Sequence, residues 1–534
     1  MITKISNSIQ KSIFLFLLCV LFYSSINCKP SLNNPSDPNS KSYLETVLSN
    51  LYLNAICDPR TRGSVRLGSG TYKVNPYSLV LLKNGNLVVT AGVFEELAWN
   101  SRTGGIHYSY IGTPGTNMNI IMFLINGRTF QIEWLDYLGP TSATSDDANI
   151  APIAEMSNGD IIVYTYVNGT EQGTPISGKA NADAYVVARF DQKGNRIWNT
   201  YLDLPMNSFV AEKIALVADT NDLIHLFFTH SAIGANTPDS LGFQEFPTAK
   251  VATNGTTAGQ QEIGWAILNS NGTASSQTYL PSISSSEIST STLGPNNNIL
   301  IGGSALDNFN GFPGHPLPNY SRMMFANLSI QNHVIQNVTY LGNTDTTFNI
   351  GEISSIVKGN DGYFASGNAA GSFGNPFHQY QYFSTGNLRN HVFLKFDWNG
   401  NLIWNQFVGS TTSNVLEFFP KITYISFFDE FRGNILSPID GTRFTGLDAL
   451  SYGNGINELQ DVTFRIRSGD GRYQSVYYET NVPVTPPNPS VLVDYNVQYL
   501  NVCNGRIAKL KKYLNYPAEE GFMEVSTIPG IEEP

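Results

Sequence analysis

Short apolar runs alternate with polar turns along most of the chain, and one four-part pattern recurs six times. In the clearest copy, four strand-like segments are separated by two tight turns and one variable loop: 153–156, 160–166, 185–190 and 195–202. The turns carry Asn158-Gly159 and Asp191-x-x-Gly194, and glycine accepts the positive φ that tight hairpins need. The pattern therefore predicts four short antiparallel strands in each repeat.

The second strand of each copy is the easiest to align, and the starts lie about 62 to 76 residues apart: Asn86, Asp160, Asp222, Asn298, Gly362 and Asn434. A four-stranded unit cannot bury both of its faces alone, but stacked neighbours form a continuous core. Radial repetition of such units is the plan of a β-propeller. We expect an all-β fold, a β-propeller of four-stranded antiparallel blades, with seven blades and six as the alternative.

The two ends of the repeat region favour seven blades. Residues 71–74 stand where a fourth strand would precede the first copy, and segments 491–502 and 506–513 are strand-like. Pairing of the two termini in one blade would close the ring. We therefore predict a propeller over 57–515, with repeats clearest at 77–480, and a C-terminal tail at 516–534.

Tryptophans hold equivalent places in three predicted fourth strands, at Trp134, Trp198 and Trp404. We interpret them as packing residues between blades rather than as a binding platform.

The N-terminal segment has the pattern of an export signal. Lys4 and Lys11 precede an apolar run at 13–23, which is too short to span a bilayer comfortably. We predict a signal peptide at 1–27 and a polar, flexible tether at 28–42 that is rich in Pro, Asn and Ser. Apolar residues at helical spacing then predict a short helix at 43–56: Leu44, Val47, Leu48, Leu51 and Tyr52.

The stretch from Ser24 to Cys28 resembles a lipobox, the motif that precedes the lipid-bearing cysteine of bacterial lipoproteins. Ser25 and Asn27 depart from the strict form, as in the looser lipoboxes of spirochaete lipoproteins. The resemblance implies acylation of Cys28, palmitate included, and attachment to the lipid bilayer of the outer membrane, at the cell surface or in the periplasmic leaflet. An ordinary signal peptide cut nearby, with Cys28 free, is the alternative.

Four cysteines are present, and Cys19 would leave with the signal peptide while Cys28 takes the lipid. Cys57 and Cys503 remain, one near each end of the mature chain. An exported compartment permits disulfides, so we predict a Cys57–Cys503 bridge that staples the ends of the propeller. Two free thiols or an intermolecular bridge are the alternatives.

A recurring Thr-Tyr-Leu-Gly-like segment ends the fourth strands: 137–139, 200–202, 278–280 and 339–342, with 407–409 as a variant. Together with the strand, turn and strand that follow, it resembles the bacterial β-propeller family of SBBP repeats over about residues 77 to 480. The resemblance implies the architecture and implies no function.

Long connections lie on one face of the predicted disc: 94–119, 167–184, 231–264, 305–322, 368–390 and 441–460. Binding residues commonly sit on loops that a rigid scaffold positions. The Tyr, Phe, Asn and Gly content of these loops suits contact with protein or carbohydrate. The candidates on this face are His107, Tyr108, Tyr110, His315, Phe373, His378 and Tyr380. Loops that only pad the surface are the alternative.

The sequence contains no recognisable catalytic, metal-binding or cofactor-binding motif. No nucleophile elbow, zinc-protease, Walker or dinucleotide motif stands in a suitable context, so we predict no catalytic residue, no metal site and no cofactor. His225 and His230 lie five apart in one strand and therefore face opposite ways. Asp146 and Asp147 suit a turn between blades better than a calcium site.

Charge excludes one class of partner. The formal net charge is -11 and sustained basic runs are absent, which argues against a nucleic-acid partner. We favour a monomeric, non-catalytic binding scaffold for protein or glycan. The alternative is a propeller enzyme with an axial site, either a glycan hydrolase or lyase with paired carboxylates or a quinoprotein, although a quinoprotein would be expected to have tryptophan in every blade.

Overall fold

Every regular element in the described part of the chain is a β-strand, apart from one 3₁₀ turn at Pro295–Asn297. The computed structural model describes these residues: 64–69, 71–97, 110–141, 151–167, 176, 184–202, 208–232, 243, 246, 261–280, 284–316, 319–342, 351–369, 371–376, 390–408, 421–425, 430–438, 459–479, 491–492, 498–503, 506–515 and 520–528. The chain divides into two compact units, Met1–Pro59 and Arg60–Pro534, and all of these residues belong to the second.

Six four-stranded antiparallel sheets follow one another along the chain, each with its strands in sequence order. The first strands are β2 (Val74–Leu81), β6 (Ile153–Glu155), β10 (Ser208–Ala218), β14 (Ser286–Leu293), β18 (Gly351–Lys358) and β22 (Lys421–Ile425). The second strands are β3 (Leu87–Val93), β7 (Ile161–Val167), β11 (Ile224–Ala232), β15 (Asn298–Ala305), β19 (Tyr363–Ala369) and β23 (Glu430–Pro438).

The third strands are β4 (Met118–Ile125), β8 (Ala184–Phe190), β12 (Gln261–Leu268), β16 (Arg322–Ser329), β20 (Asn390–Phe396) and β24 (Leu459–Arg467). The fourth strands are β5 (Ile132–Thr141), β9 (Arg196–Leu202), β13 (Ala274–Leu280), β17 (Val334–Leu341), β21 (Leu402–Val408) and β25 (Tyr473–Glu479). We number these sheets 1 to 6 in chain order. All six predicted second strands are confirmed, although β23 begins at Glu430 rather than at Asn434.

A further sheet, the terminal sheet, joins the two ends of this unit. It contains β1 (Ser64–Leu67), β26 (Val491–Leu492), β27 (Gln498–Cys503), β28 (Arg506–Asn515) and β29 (Glu520–Ile528). Strand β29 pairs with β1 on one side and with β28 on the other, while β26 and β27 both pair with β28.

Strand β29 corrects the expected C-terminal boundary. The sequence pattern predicts that the β-structure ends at residue 515 and that 516–534 is a tail, whereas β29 extends the β-structure to Ile528. Met523 and Val525 of this strand are each 1% exposed and pack against sheet 1. Burial of these two apolar side chains is the physical reason why the segment is a strand.

The described residues of the middle strands of sheets 1 to 5 are largely buried on both faces. All residues of β3, β4, β16 and β20 are buried. Consecutive sheets stack face to face and share apolar clusters, which join sheets 1 and 2, 2 and 3, 3 and 4, and 4 and 5. Another cluster joins the terminal sheet to sheet 1. Stacking of this kind explains why the middle strands are continuous apolar runs rather than alternating ones.

The three aligned tryptophans pack between sheets, as predicted. Trp134, Trp198 and Trp404 each donate the indole N–H to a main-chain carbonyl in the last hairpin turn of the next sheet, at 3.0 to 3.1 Å. The acceptors are Gln192, Ser270 and Ser468. The same device does not extend to every sheet, because Asn337 takes the tryptophan position in sheet 4 and donates to the carbonyl of Asn399.

The first strands lie against one another and form what we call the inner edge of the stacked sheets. Strand β2 contacts β6, and contacts continue in order through β10, β14, β18 and β22. Strand β27 of the terminal sheet contacts both β22 and β2. This repetition of four-stranded antiparallel sheets is consistent with a β-propeller.

Several predictions concern parts of the chain outside the described residues. These are the signal peptide, Cys28, the tether, the helix at 43–56 and Cys57. Cys503 is the last residue of β27, so the chain position is described but the predicted bridge is not. No helix among the described residues is long and apolar enough to cross a bilayer.

Candidate functional site

Three charged side chains from consecutive first strands meet at the inner edge. Lys213 lies on β10, Glu287 on β14 and Glu352 on β18. Each glutamate is the second residue of its strand, next to the connection from the preceding sheet. We call this the loop end of the sheets, because the second strands end and the third strands begin there too. The three residues form the inner-edge cluster.

A β-bulge in each of these strands helps to place the cluster. The register shifts between Val210 and Ile214 in β10, between Ile288 and Thr290 in β14, and between Ile353 and Ser355 in β18. A bulge bends its strand and redirects the side chains beside it. The clustered side chains lie at or immediately next to these bulges.

Both carboxylates bind the same ammonium group. Lys213 Nζ lies 2.8 Å from Glu287 Oε2 and 2.9 Å from Glu352 Oε1. Ser289 Oγ also donates to Glu352 Oε1. Glu287 Oε2 and Glu352 Oε1 therefore lie close together, separated by no more than the sum of their distances to Lys213 Nζ.

The cluster is reachable from solvent, since the side chains of Lys213, Glu287 and Glu352 are 31%, 30% and 12% exposed. Each carboxylate uses one oxygen for Lys213 and leaves the other without a hydrogen-bond partner among the described residues. Burial acts to lower the pKa of Lys213, but Glu352 and Glu287 outweigh it and hold that pKa above its ordinary value. The cluster thus combines one cation with two carboxylates, each of which retains a free acceptor oxygen.

A polar row extends from Glu352 into sheet 5. Asn368 is directly opposite Glu352, and His391 is directly opposite Asn368, so the three side chains share one face of the sheet. Asn368 and His391 are 2% and 1% exposed. Asn368 Oδ1 accepts a hydrogen bond from His391 Nδ1 at 2.7 Å.

The outer atoms of this buried pair have no partner in the structure. His391 Nε2 and Asn368 Nδ2 are both buried and unpaired. Burial lowers the pKa of His391 to about 3, so the ring is neutral at pH 7. With Nδ1 donating to Asn368, the neutral ring presents Nε2 as an acceptor, next to the amide donor Nδ2.

Three of the residues that the sequence predicts for ligand binding make contacts within their own repeat instead. Tyr110 donates to the carbonyl of Asn117 and stands edge-on to Tyr137, and burial raises the pKa of Tyr110. The His315 ring contacts the carbonyl oxygen of Ala305 at 2.9 Å and is buried. Phe373 packs edge-on against Phe407. These contacts hold the loops to their own sheets, and the three side chains do not converge on one site.

The fourth strands supply the anchors for these loops. Tyr137 Oη accepts from the main-chain N–H of Leu97, and Tyr340 Oη accepts from that of Phe309. Asn405 Nδ2 donates to the carbonyl of Phe373. In two copies of the recurring segment, the tyrosine therefore has a structural role. The remaining candidates, His107, Tyr108, His378 and Tyr380, lie outside the described residues.

The inner-edge cluster is not among the predicted site residues, although the sequence contains a signal for it. Glu-Ile-Ser occurs twice at the start of a first strand, at 287–289 and again at 352–354. Its two glutamates are the carboxylates of the cluster. The repeated tripeptide could have identified the two glutamates. Lys213, which contacts both of them in space, lies on β10 and is not part of such a tripeptide.

A second concave region lies between β1 and sheet 1. This cleft of ≈ 800 Å³ is lined by residues 64–69, 95–97 and 130–132. Glu95 Oε1 accepts from the N–H of Ser69, and Arg66 pairs with Glu524, each at 2.7 Å. These two charged groups of the cleft are engaged with protein partners, so the inner-edge cluster is the stronger candidate site.

No group of three or more His, Cys, Asp or Glu side chains in the described ranges is arranged to hold a metal ion. The class of protein that the fold defines is an all-β protein of repeated four-stranded antiparallel sheets.

Comparisons with known proteins found similarity to solved structures only. No family profile and no curated protein matches the chain. A mutant of the NanB sialidase from Streptococcus pneumoniae is 9% identical, with a TM-score of 0.41 over 90% of this chain and 96% of that one. A polysaccharide lyase is 9% identical, with a TM-score of 0.42 over 85% and 90%. A protein of unknown function from Dyadobacter fermentans is 9% identical, with a TM-score of 0.37 over 87% and 97%. Similarity at this level assigns no activity to the chain.

Proposed function

We propose that this protein is an exported lipoprotein whose β-propeller serves as a non-catalytic binding scaffold for protein or glycan. In this proposal the ligand approaches the loop end of the sheets and reaches the inner-edge cluster. The observation that supports the proposal most directly is that the ammonium group of Lys213 lies within 3 Å of both carboxylates.

The shared ammonium favours binding over glycan hydrolysis. Glycosidases with paired carboxylates need one of the two in its protonated form as a general acid. In this cluster the ammonium of Lys213 pairs with both carboxylates, so neither is distinguished from the other by its charged partner, as an acid and a base would be. The free oxygens of Glu287 and Glu352 remain good hydrogen-bond acceptors, which suits recognition of a ligand rather than proton transfer to one.

A propeller of seven blades, closed by the terminal sheet, is part of the proposal. Its support is the order of contacts along the inner edge, in which β27 touches both β22 and β2. The pairing of β1 with β29 also unites chain segments that are more than 450 residues apart in sequence. A closed ring removes the two exposed faces that an open stack of sheets would leave.

Anchoring rests on the N-terminal sequence. Cleavage before Cys28, acylation of that cysteine and a tether at 28–42 would hold the propeller at the outer membrane. The Cys57–Cys503 bridge belongs to the same proposal, because it would connect the start of the body to β27.

A glycan hydrolase or lyase is the second candidate, and the proximity of Glu287 and Glu352 is the observation in its favour. Retaining glycosidases place two carboxyl groups about 5–5.5 Å apart. A quinoprotein has less support, since the tryptophan position of sheet 4 is occupied by Asn337.

The test is a binding screen with the full-length protein in detergent micelles, against an array of glycans and a panel of surface proteins. We expect saturable binding to one ligand, and we expect that ligand to be recovered unchanged. A matched comparison deletes residues 233–242, which follow β11 in the sequence, and separately replaces Asp470, in the turn between β24 and β25. Absence of binding to both panels, or chemical conversion of a bound glycan, would overturn the proposal.

A further inference from the structure

We propose that the inner edge of sheets 3 to 5 is a carbohydrate subsite, in which Glu287 and Glu352 accept hydrogen bonds from hydroxyl groups of a neutral sugar. The inference rests on the proposed binding function and names its ligand class.

The first observation is the pair of free acceptors. Glu287 Oε2 and Glu352 Oε1 are bound to Lys213, while the second oxygen of each carboxylate has no partner among the described residues. Hydrogen bonds from a neutral hydroxyl to an ionised acceptor are stronger than bonds between two neutral groups. Two such acceptors side by side match adjacent hydroxyl groups on a sugar ring.

The second observation is independent of the charges. The row that begins at Glu352 continues through Asn368 to His391, where Nδ2 and Nε2 are buried and unpaired. An unpaired donor beside an unpaired acceptor is complementary to a hydroxyl group, which both donates and accepts. Because directly opposed residues have Cβ atoms about 4.5–5.5 Å apart, Asn368 is the immediate cross-strand neighbour of Glu352, whose side chain is 12% exposed.

Lys213 distinguishes a sugar from a cation as the ligand. Its ammonium already occupies the space between the two carboxylates, at 2.8 and 2.9 Å. A metal ion or a ligand amine would have to displace it or lie against it, and like charges at such distances repel. A neutral hydroxyl meets no such repulsion.

The experiment uses the full-length protein in detergent micelles and an array of neutral hexose and N-acetylhexosamine oligosaccharides. The strongest binder is then titrated against wild type, E287Q, E352Q and the control D470N. Asp470 is a matched control because it is a carboxylate in an exposed ion pair with Arg467, far along the chain in sheet 6. We expect E352Q and E287Q to weaken binding by about 10-fold or more, and D470N to leave it unchanged.

Each of the following results would overturn the carbohydrate subsite. Sugar binding that is insensitive to both variants would place the ligand elsewhere and overturn the subsite, while the binding scaffold would stand. Failure to bind any sugar on the array, with a surface protein still bound, would have the same consequence. Calcium chloride alone, titrated into wild type and E352Q, would overturn the inference if it bound and E352Q abolished that binding.

A measurement on wild type covers the case in which the variants unfold. Carbodiimide activation in the presence of an added amine, mapped by peptide mass spectrometry, should modify Glu287 and, more slowly, the less exposed Glu352 in the free protein, either with the added amine or by a cross-link to Lys213. The bound oligosaccharide should protect both residues and leave modification of Asp470 unchanged. Equal modification of Glu287 and Glu352 with and without the sugar would contradict the subsite.

Discussion

Trp198 donates its indole N–H to the main-chain carbonyl oxygen of Ser270 at 3.1 Å, across the boundary between sheets 2 and 3. The ring also covers Gly272, where an added Cβ would stand 2.7 Å from the indole Cδ2. Arg189 Nη1 donates to the same carbonyl at 2.7 Å. One turn of sheet 3 is thus fixed by two side chains of sheet 2.

Replacement of Trp198 should separate the hydrogen bond from the packing. We expect Trp198→Phe to cost about 1 kcal/mol of unfolding free energy, since it removes one donor while Arg189 still satisfies the carbonyl. Trp198→Ala should cost about 3–5 kcal/mol because it also leaves a cavity. Urea denaturation measures both, and Ile197→Thr, at a side chain that is 49% exposed, is the control. Equal costs for Phe and Ala would refute the packing role.

Two glycines with similar backbone conformations should respond differently to alanine. Gly194 has φ of +79° and an added Cβ would lie 2.6 Å from Cδ2 of Trp134, whereas Gly311 has φ of +84° and open space around it. Both substitutions strain the backbone, but only Gly194→Ala also overpacks the boundary between sheets 1 and 2. We expect it to destabilise the protein by about 1–3 kcal/mol more than Gly311→Ala in urea denaturation. Equal losses would mean that Trp134 can move aside freely.

Buried His391 should make stability depend on pH. Its pKa is about 3 in the folded protein and about 6.5 when unfolded, so the unfolded chain binds more protons between these values. The stabilising contribution is complete above pH 6.5 and is lost as pH falls toward 3, at up to about 1.4 kcal/mol per pH unit. Urea denaturation between pH 4.5 and 7 tests this, with the non-titrating His391→Gln as the comparison. The same slope in both proteins would contradict the assignment.

Strand β29 should be part of the core rather than a tail. Met523 is 1% exposed against sheet 1, so Met523→Ala should cost about 2–5 kcal/mol. Substitution in a solvated tail would change stability by less than about 0.5 kcal/mol. Ser526→Ala in the same strand is the control, and thermal unfolding is the readout. A change within the tail range would remove β29 from the core.

The repeat pattern made the sheets predictable, because hairpin turns and apolar runs are local signals. The six second strands and the packing role of Trp134, Trp198 and Trp404 were foreseen for that reason. Strand β29 was not, since its partner β1 lies at the other end of the chain and pairing over that separation leaves no local trace.

The site was less predictable than the fold. His315 and Phe373 were expected to face a ligand, yet their side chains contact Ala305 and Phe407. Loop composition alone does not show which way a side chain turns. The Glu-Ile-Ser repeat was present in the sequence, but only the stacking of three sheets brings Lys213 to both glutamates.

The central claim is that the inner-edge cluster binds a ligand without transforming it, because the ammonium of Lys213 pairs with both carboxylates. The most direct measurement is prolonged incubation of wild-type protein with its strongest-binding oligosaccharide, followed by mass spectrometry of the recovered sugar. We expect an intact sugar at every pH from 5 to 8, with binding that E352Q weakens. Shorter sugars carrying an added water or a new double bond, absent from an E352Q incubation, would show that the site is catalytic and contradict this account.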